Sequence, residues 1–316
     1  MTRFLQLLRC FATCFFKICA ARQASFPIAK KVVVLYNCFM KNTKENKKEK
    51  RISKVKGKSS VRLGVALSGG GTRGFAHVGA LRALVENGVD VYCVAGTSVG
   101  SLFGAAFALG KTVDEIERFC LTVKDKDVTG SRLLKFGYPP ESVATLADKL
   151  FGGATFADLK LPFACVAVDI EKGEEVILDE GRLAEACSAS CAVPVIFKPV
   201  KKNGSTLVDG GLKNNVPADV CRMLGADVVV SVDLNVTRGE GTSSDRVLDQ
   251  LAATWRIMTA STAQKGYYNS DVLICPELRK FRNTTTKGAK EMIAEGYRAA
   301  MEKMDEIKRL LYEKGV

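Results

Sequence analysis

An α/β fold is what the sequence predicts for residues 61–316: a three-layer α/β/α arrangement around a mostly parallel central sheet. Three observations carry that expectation. From Val61 onward, short β-rich runs alternate with longer helical ones. The short runs are apolar throughout instead of at every second residue, which is the pattern of strands covered on both faces. Two glycine-bracketed turns, Gly69–Gly74 and Gly96–Gly100, each stand between such a run and a helix.

The first strand is LGVAL, between Arg62 and Ser68. Gly74 to Glu86 follows as a helix, Val91 to Ala95 as the second strand, Ser98 to Leu109 as a helix of small residues, and Val113 to Val123 as another. Thr122 to Asp158 breaks the alternation; with its Pro-Pro and Gly-Gly pairs it reads as a cap over a site or as a plain surface insertion. Leu161 to Ile170 and Glu175 to Leu178 flank the turn EKGE as a hairpin. Ala226 to Leu234 and Asp271 to Cys275 are further core strands, and Lys287 to Tyr312 is one long closing helix. The motif-bearing core is thus 62–217, with a helical closure over 246–316.

Composition places this alternation in a globular chain. With 47% hydrophobic and 26% charged residues, the 316 residues suit neither a collagenous, a disordered nor a disulfide-dense class. The net charge of +13 suggests a polyanion partner until it is located: of 47 Lys and Arg and 34 Asp and Glu, residues 1–60 hold 15 and 2, which leaves 32 and 32 for the body. A neutral body is not expected to bind nucleic acid.

Residues 1–60 form a leader of their own. Arg9, Lys17, Arg22, Lys30 and Lys31 interrupt its apolar stretches, so no uncharged run reaches the roughly 18–20 residues of a spanning helix. Cys10 to Phe16 makes only a marginal signal-peptide core, so a cytoplasmic location, either free or peripheral at the membrane, is favoured over secretion. Two readings of 1–39 stand side by side: an amphipathic basic segment on an anionic membrane surface, or sequence upstream of a true start at Met40. Residues 42–60 are lysine-dense and poor in large apolar groups, hence a disordered leader, either a solvated tail or an electrostatic membrane tether.

Eleven cysteines without paired spacing read as reduced thiols, mostly in the core. Cys187 and Cys191 are at helical spacing, but no second Cys or His pair completes a zinc site, and His77 is the single histidine. No metal and no cofactor is expected.

That lone histidine decides how the turns are read. Gly96, Thr97, Ser98, Val99 and Gly100 form a G-x-S-x-G elbow between strand and helix, a geometry that exposes a serine hydroxyl on a strained corner; a serine that merely caps the helix is the plainer alternative. The elbow's usual partners run Ser, acid, His, yet no histidine follows Ser98, and His77 lies inside the preceding helix. The base is therefore expected to be a carboxylate. Asp209 is best placed, delivered by a short strand to the turn of Gly210 and Gly211, although an ordinary Asp-Gly turn has the same look. Gly69, Gly70, Gly71, Thr72, Arg73 and Gly74 form a loop whose N–H groups suit an oxyanion at a helix N-terminus. A dinucleotide would need an acidic residue ending the second strand, whereas Asp90 precedes it.

In this order the three elements resemble the patatin-like phospholipase family, in its compact bacterial form. Ser68 to Leu81 (SGGGTRGFAHVGAL) is similar to the family's oxyanion motif, GTSVG to its nucleophile motif, and Asp209-Gly-Gly to its Asp-Gly-Gly/Ala motif. Ser188 to Val200, Asn214 to Pro217, Ser270 to Leu278 and Glu295 to Tyr297 are similar to further family blocks, while residues 1–60 match none. The resemblance implies a metal-free hydrolase of fatty-acyl esters of (phospho)lipids. Ser98 would be its nucleophile and Asp209 its proton acceptor, in a partly desolvated site that raises the aspartate pKa. Gly70 and Gly71, with Gly69 as a third candidate, would donate to the oxyanion, and Arg73 would reinforce that charge, contact a phosphate, or serve as a structural ion pair. The alternative from another class is a non-catalytic regulator that binds lipid or protein on the same scaffold.

Overall fold

The computed structural model describes residues 61–125, 127, 138–139, 141–235 and 247–315. Expectations for residues 1–60, and for the part of the 122–158 insertion between 128 and 137, lie outside the described residues. In chain order the elements are β1 (Leu63–Leu67), α1 (Phe75–Glu86), β2 (Val91–Thr97), α2 (Val99–Ala108), α3 (Val113–Thr122), α4 (Glu141–Phe151), β3 (Phe163–Asp169), β4 (Glu174–Leu178), α5 (Leu183–Ser190), β5 (Val200–Lys202), β6 (Ser205–Asp209), α6 (Ala218–Met223), β7 (Val228–Val232), α7 (Val247–Asn269), β8 (Val272–Ile274), α8 (Ala289–Met301) and α9 (Met304–Gly315). Short 3-10 turns cover Gly71–Gly74, Phe156–Asp158 and Gly210–Leu212.

The strands form one mixed sheet whose parallel core runs β3-β2-β1-β7-β8. Antiparallel strands extend it: β4 and β6 both pair with β3, and β5 pairs with β6. Both faces are buried, as the unbroken apolar runs predict. On one face Leu63, Val65 and Leu67 pack with residues of α1, α2, α5 and α8; on the other, Ala66, Ala95 and Val166 pack with Ala218, Val220 and Cys221 of α6. Each fully buried Leu or Val contributes about 1.5–3 kcal/mol, which makes the two-sided sheet the main stabilising feature.

Local signals set several helix ends. Thr112 and Glu115 form a reciprocal capping box at the start of α3: Glu115 N–H donates to Thr112 Oγ1 at 3.2 Å and Thr112 N–H to Glu115 Oε2 at 2.8 Å. Helix α4, within the predicted insertion, packs against α5 as part of the outer layer. The expected single helix from Lys287 to Tyr312 is two helices, because a turn at Glu302 and Lys303 interrupts it. Lys303 N–H bonds to the Ala300 carbonyl at 3.0 Å, a tightened last turn, and α9 then buries Met304 and Ile307. Among the described residues no helix is long and apolar enough to cross a membrane.

Candidate active site

Sheet register brings the two predicted side chains together. Val166 of β3 pairs with Thr97 at the end of β2, and the next residue, Ala167, pairs with Asp209 at the end of β6. Strand β4 pairs along Cys165–Asp169, so it takes the opposite edge, and β2 and β6 share the remaining one. Since β2 runs with β3 and β6 runs against it, the two strands meet end to end at neighbouring positions, about 3.3 Å apart along the strand. Ser98 leaves one strand where Asp209 ends the other.

Ser98 occupies the corner that the elbow motif predicts. Its backbone sits at φ 53, ψ −127, a region that costs a non-glycine residue about 1–3 kcal/mol and persists only where its surroundings enforce it. They do so here. The Ser98 N–H donates to Ser190 Oγ at 2.9 Å, and its carbonyl accepts the Ser101 N–H at 2.8 Å and the Ser101 hydroxyl at 2.6 Å. A Cβ on Gly96 would lie 2.4 Å from the Gly100 carbonyl oxygen, and one on Gly100 would lie 2.2 Å from that of Leu67, so both brackets exclude a side chain. Val99 begins α2 and packs over Gly74, while Thr97 Oγ1 donates to the Asn214 carbonyl at 2.8 Å.

Asp209 is 1% exposed. Its Oδ1 accepts the Gly211 N–H at 2.8 Å, whereas Oδ2 is buried without a hydrogen-bond partner. Burial pushes this carboxyl up to about 7, against the opposing pull of the Gly211 N–H and the Ser98 hydroxyl. The Ser98 hydroxyl is near enough to favour the carboxylate form. Gly210 allows the close approach: a Cβ there would lie 2.2 Å from the Val166 carbonyl oxygen.

The glycine loop lies beside Ser98, since a Cβ on Gly69 would be 3.1 Å from Ser98 Cβ. Its donors are unequal. Gly69 N–H already donates to the Asn215 carbonyl at 3.2 Å and Thr72 N–H to that of Asn283 at 3.0 Å, while Gly70 and Gly71 N–H have no acceptor among the described residues. Arg73 is buried, and its Nε donates to the Phe281 carbonyl at 2.9 Å, which ties the loop to the segment before α8. Gly74 closes the 3-10 turn.

His77 lies beneath this loop. Its Nε2 is 2.8 Å from the Ser68 carbonyl oxygen, not bonded to Ser98 or Asp209, and burial pushes it down to about 4, so it is neutral at physiological pH. Six of the seven described cysteines are buried and free, Cys187 and Cys191 among them; Cys275 is exposed. Among the described residues no cluster of three or more His, Cys, Asp or Glu side chains could hold a metal ion. Ser190 and Ser101, which pin the elbow, and Asn283, which pins the loop, were not among the predicted site residues. Ser190 lies in the Ser188–Val200 block, but its partners, like those of Ser101 and Asn283, are legible only once the chain is folded.

Comparison with known proteins identifies the family. The family model for patatin-like phospholipase matches residues 65–222. An uncharacterized NTE family protein of Mycobacterium bovis is 32% identical over 190 residues, 58% of this chain and 51% of its own. A patatin-like phospholipase domain-containing protein of Caenorhabditis elegans is 35% identical over 62% of this chain and 15% of its own, and a lysophospholipase of Aspergillus fumigatus is 34% identical over 54% and 12%. The chain therefore spans about half the length of the mycobacterial relative and a small part of the others. Among solved structures, VipD from Legionella pneumophila shares the fold, with a TM-score of 0.55 at 16% identity over 78% of this chain and 67% of its own.

Proposed function

Because the chain belongs to the patatin-like phospholipase family, we propose that it is a serine acyl-ester hydrolase that cleaves fatty-acyl esters of lipids through Ser98 and Asp209. What supports this reading above all is the end-to-end meeting of β2 and β6 on one edge of β3, which sets a serine on a strained corner beside a buried carboxyl with a pKa near 7. A carboxylate of ordinary pKa, about 3.9, is a feeble base toward an alcohol; one matched to neutral pH pulls harder on the proton while still ionising.

In the first half of the reaction, Ser98 Oγ attacks the ester carbonyl carbon as its proton passes to Asp209. The oxyanion is received by the N–H groups of Gly70 and Gly71, each worth roughly 3–4 kcal/mol in the transition state. Collapse expels the alcohol, which takes the proton from Asp209 and leaves an acyl ester on Ser98. In the second half, water attacks that ester as Asp209 accepts its proton. The fatty acid departs and the proton returns to Ser98 Oγ. A lysophospholipid is the first lipid to test, since the Aspergillus relative is a lysophospholipase.

The deciding experiment pairs hydrolysis of a chromogenic fatty-acyl ester with labelling by a fluorophosphonate. Ser98→Ala and Asp209→Asn are each expected to lower kcat by about 10³-fold or more with unchanged circular dichroism, and Ser98→Ala to abolish labelling. Activity that survives either substitution removes the pair from the mechanism. A parent chain that neither labels nor turns over ester supports a binding protein instead.

A further inference from the structure

Three consecutive residues at the end of α5 each touch the Ser98–Asp209 pair. Ser190 Oγ accepts the Ser98 N–H at 2.9 Å and donates to the Val166 carbonyl at 2.6 Å. Ala192 accepts the Asp209 N–H on its carbonyl at 3.0 Å. Between them the buried Cys191 thiol neighbours both side chains: the Asp209 carboxylate adds to burial in raising it, and the Ser98 hydroxyl opposes. A strap from a third element thus grips the backbone of nucleophile and base at once, at the point on β3 where β2 and β6 meet.

The Ser190 hydroxyl is fully buried and sits in the one place where it can answer two groups. Ser98 holds a backbone conformation that it would leave if released, and its N–H, turned away from the strand ladder at the corner, needs an acceptor. An alanine at 190 offers none. The corner would then relax, moving Oγ relative to Asp209, and displacement of a reacting atom by about 1 Å lowers rates by as much as 10²-fold.

We propose that Ser190 is a positioning residue for the nucleophile: its hydroxyl locks the Ser98 N–H to β3 and, through Ala192, holds the spacing between Ser98 and Asp209. This rests on the Ser98–Asp209 reading, and the test separates the two. In the full chain, kcat and KM for a soluble fatty-acyl ester and the maximal rate of fluorophosphonate labelling are measured for Ser98→Ala, Ser190→Ala, Ser190→Thr and Ser190→Cys, each normalised to folded protein.

Ser190→Ala is expected to lower kcat and the labelling rate about 10- to 100-fold with KM within about twofold, and Ser190→Thr, which keeps the hydroxyl, to recover most of the loss. Ser190→Cys, close in size but a poor hydrogen-bonding group, covers the case in which alanine prevents folding, and is expected to slow kcat at least about fivefold. A Ser190→Ala or Ser190→Cys enzyme with parental kcat, or a threonine variant as slow as alanine, overturns the assignment. Activity in Ser98→Ala overturns the underlying reading, whatever Ser190 does.

Discussion

Asp209 and His77 show how burial pushes two titratable groups of the candidate site in opposite directions. Both are shut away from water, which disfavours charge on either: the carboxyl rises to about 7 and the imidazole falls to about 4. The consequence for activity is a rise in kcat/KM as pH passes through about 7, where Asp209 becomes a base, with no inflection from His77. The consequence for stability has the opposite slope. Asp209 binds its proton more tightly in the native state than in the unfolded one, so the stability it confers is complete below about pH 3.9 and is lost as pH rises through about 7. Asp209→Asn is therefore expected to be inactive yet more stable than the parent at pH 8, by up to about 4 kcal/mol, with the gain vanishing near pH 3. Thermal unfolding of both proteins across that range checks it; equal midpoints at pH 8 would show that the carboxyl is not desolvated. In the sequence, the single histidine pointed to a carboxylate as the expected base, and the strand-to-glycine turn at Asp209-Gly-Gly211 singled out Asp209. Its environment, and so its pKa, needed the fold.

At the scale of elements, the helices were legible where composition is periodic and ambiguous where two helices share a rhythm. Residues 287–312 read as one helix because nothing in their pattern marks a stop: Met304 and Ile307 continue the i, i+3, i+4 spacing of the buried Gly296 and Ala300, while a turn at Glu302–Lys303 separates α8 from α9. Contact between α1 and α8 was likewise invisible, since it depends on two glycines distant in sequence. A Cβ on Gly79 would lie 1.8 Å from the Ile293 carbonyl oxygen, and one on Gly296 would lie 1.9 Å from that of Ala76. These helices pack backbone to backbone. Gly79→Ala is expected to destabilise the protein by about 3 kcal/mol, the upper end of overpacking effects, and Gly296→Ala by a similar amount. Chemical denaturation measures this, and a loss below about 0.5 kcal/mol in both would show that the helices stand further apart.

Across the whole molecule, the matched family region is supported by residues beyond its end. It ends at residue 222, yet β7 lies in the middle of the sheet between β1 and β8, and the glycine loop is held by Phe281, Arg282 and Asn283 through Arg73 Nε and both the N–H and the hydroxyl of Thr72. A chain truncated after Arg222 is expected to show no cooperative unfolding transition and no esterase activity; a folded, active truncation would mean that the loop keeps its shape without this support. The sequence by itself determined the α/β class, the strands and helices around the two glycine turns, the elbow motif and the single histidine, because these depend on short-range pattern and residue count. Only the tertiary structure decided that β2 and β6 abut on β3, that the Gly69 N–H is taken by Asn215 while those of Gly70 and Gly71 have no acceptor among the described residues, and that Ser190 accepts the Ser98 N–H. Those facts depend on register and on pairings across tens to hundreds of residues, which side-chain alternation along one strand does not encode.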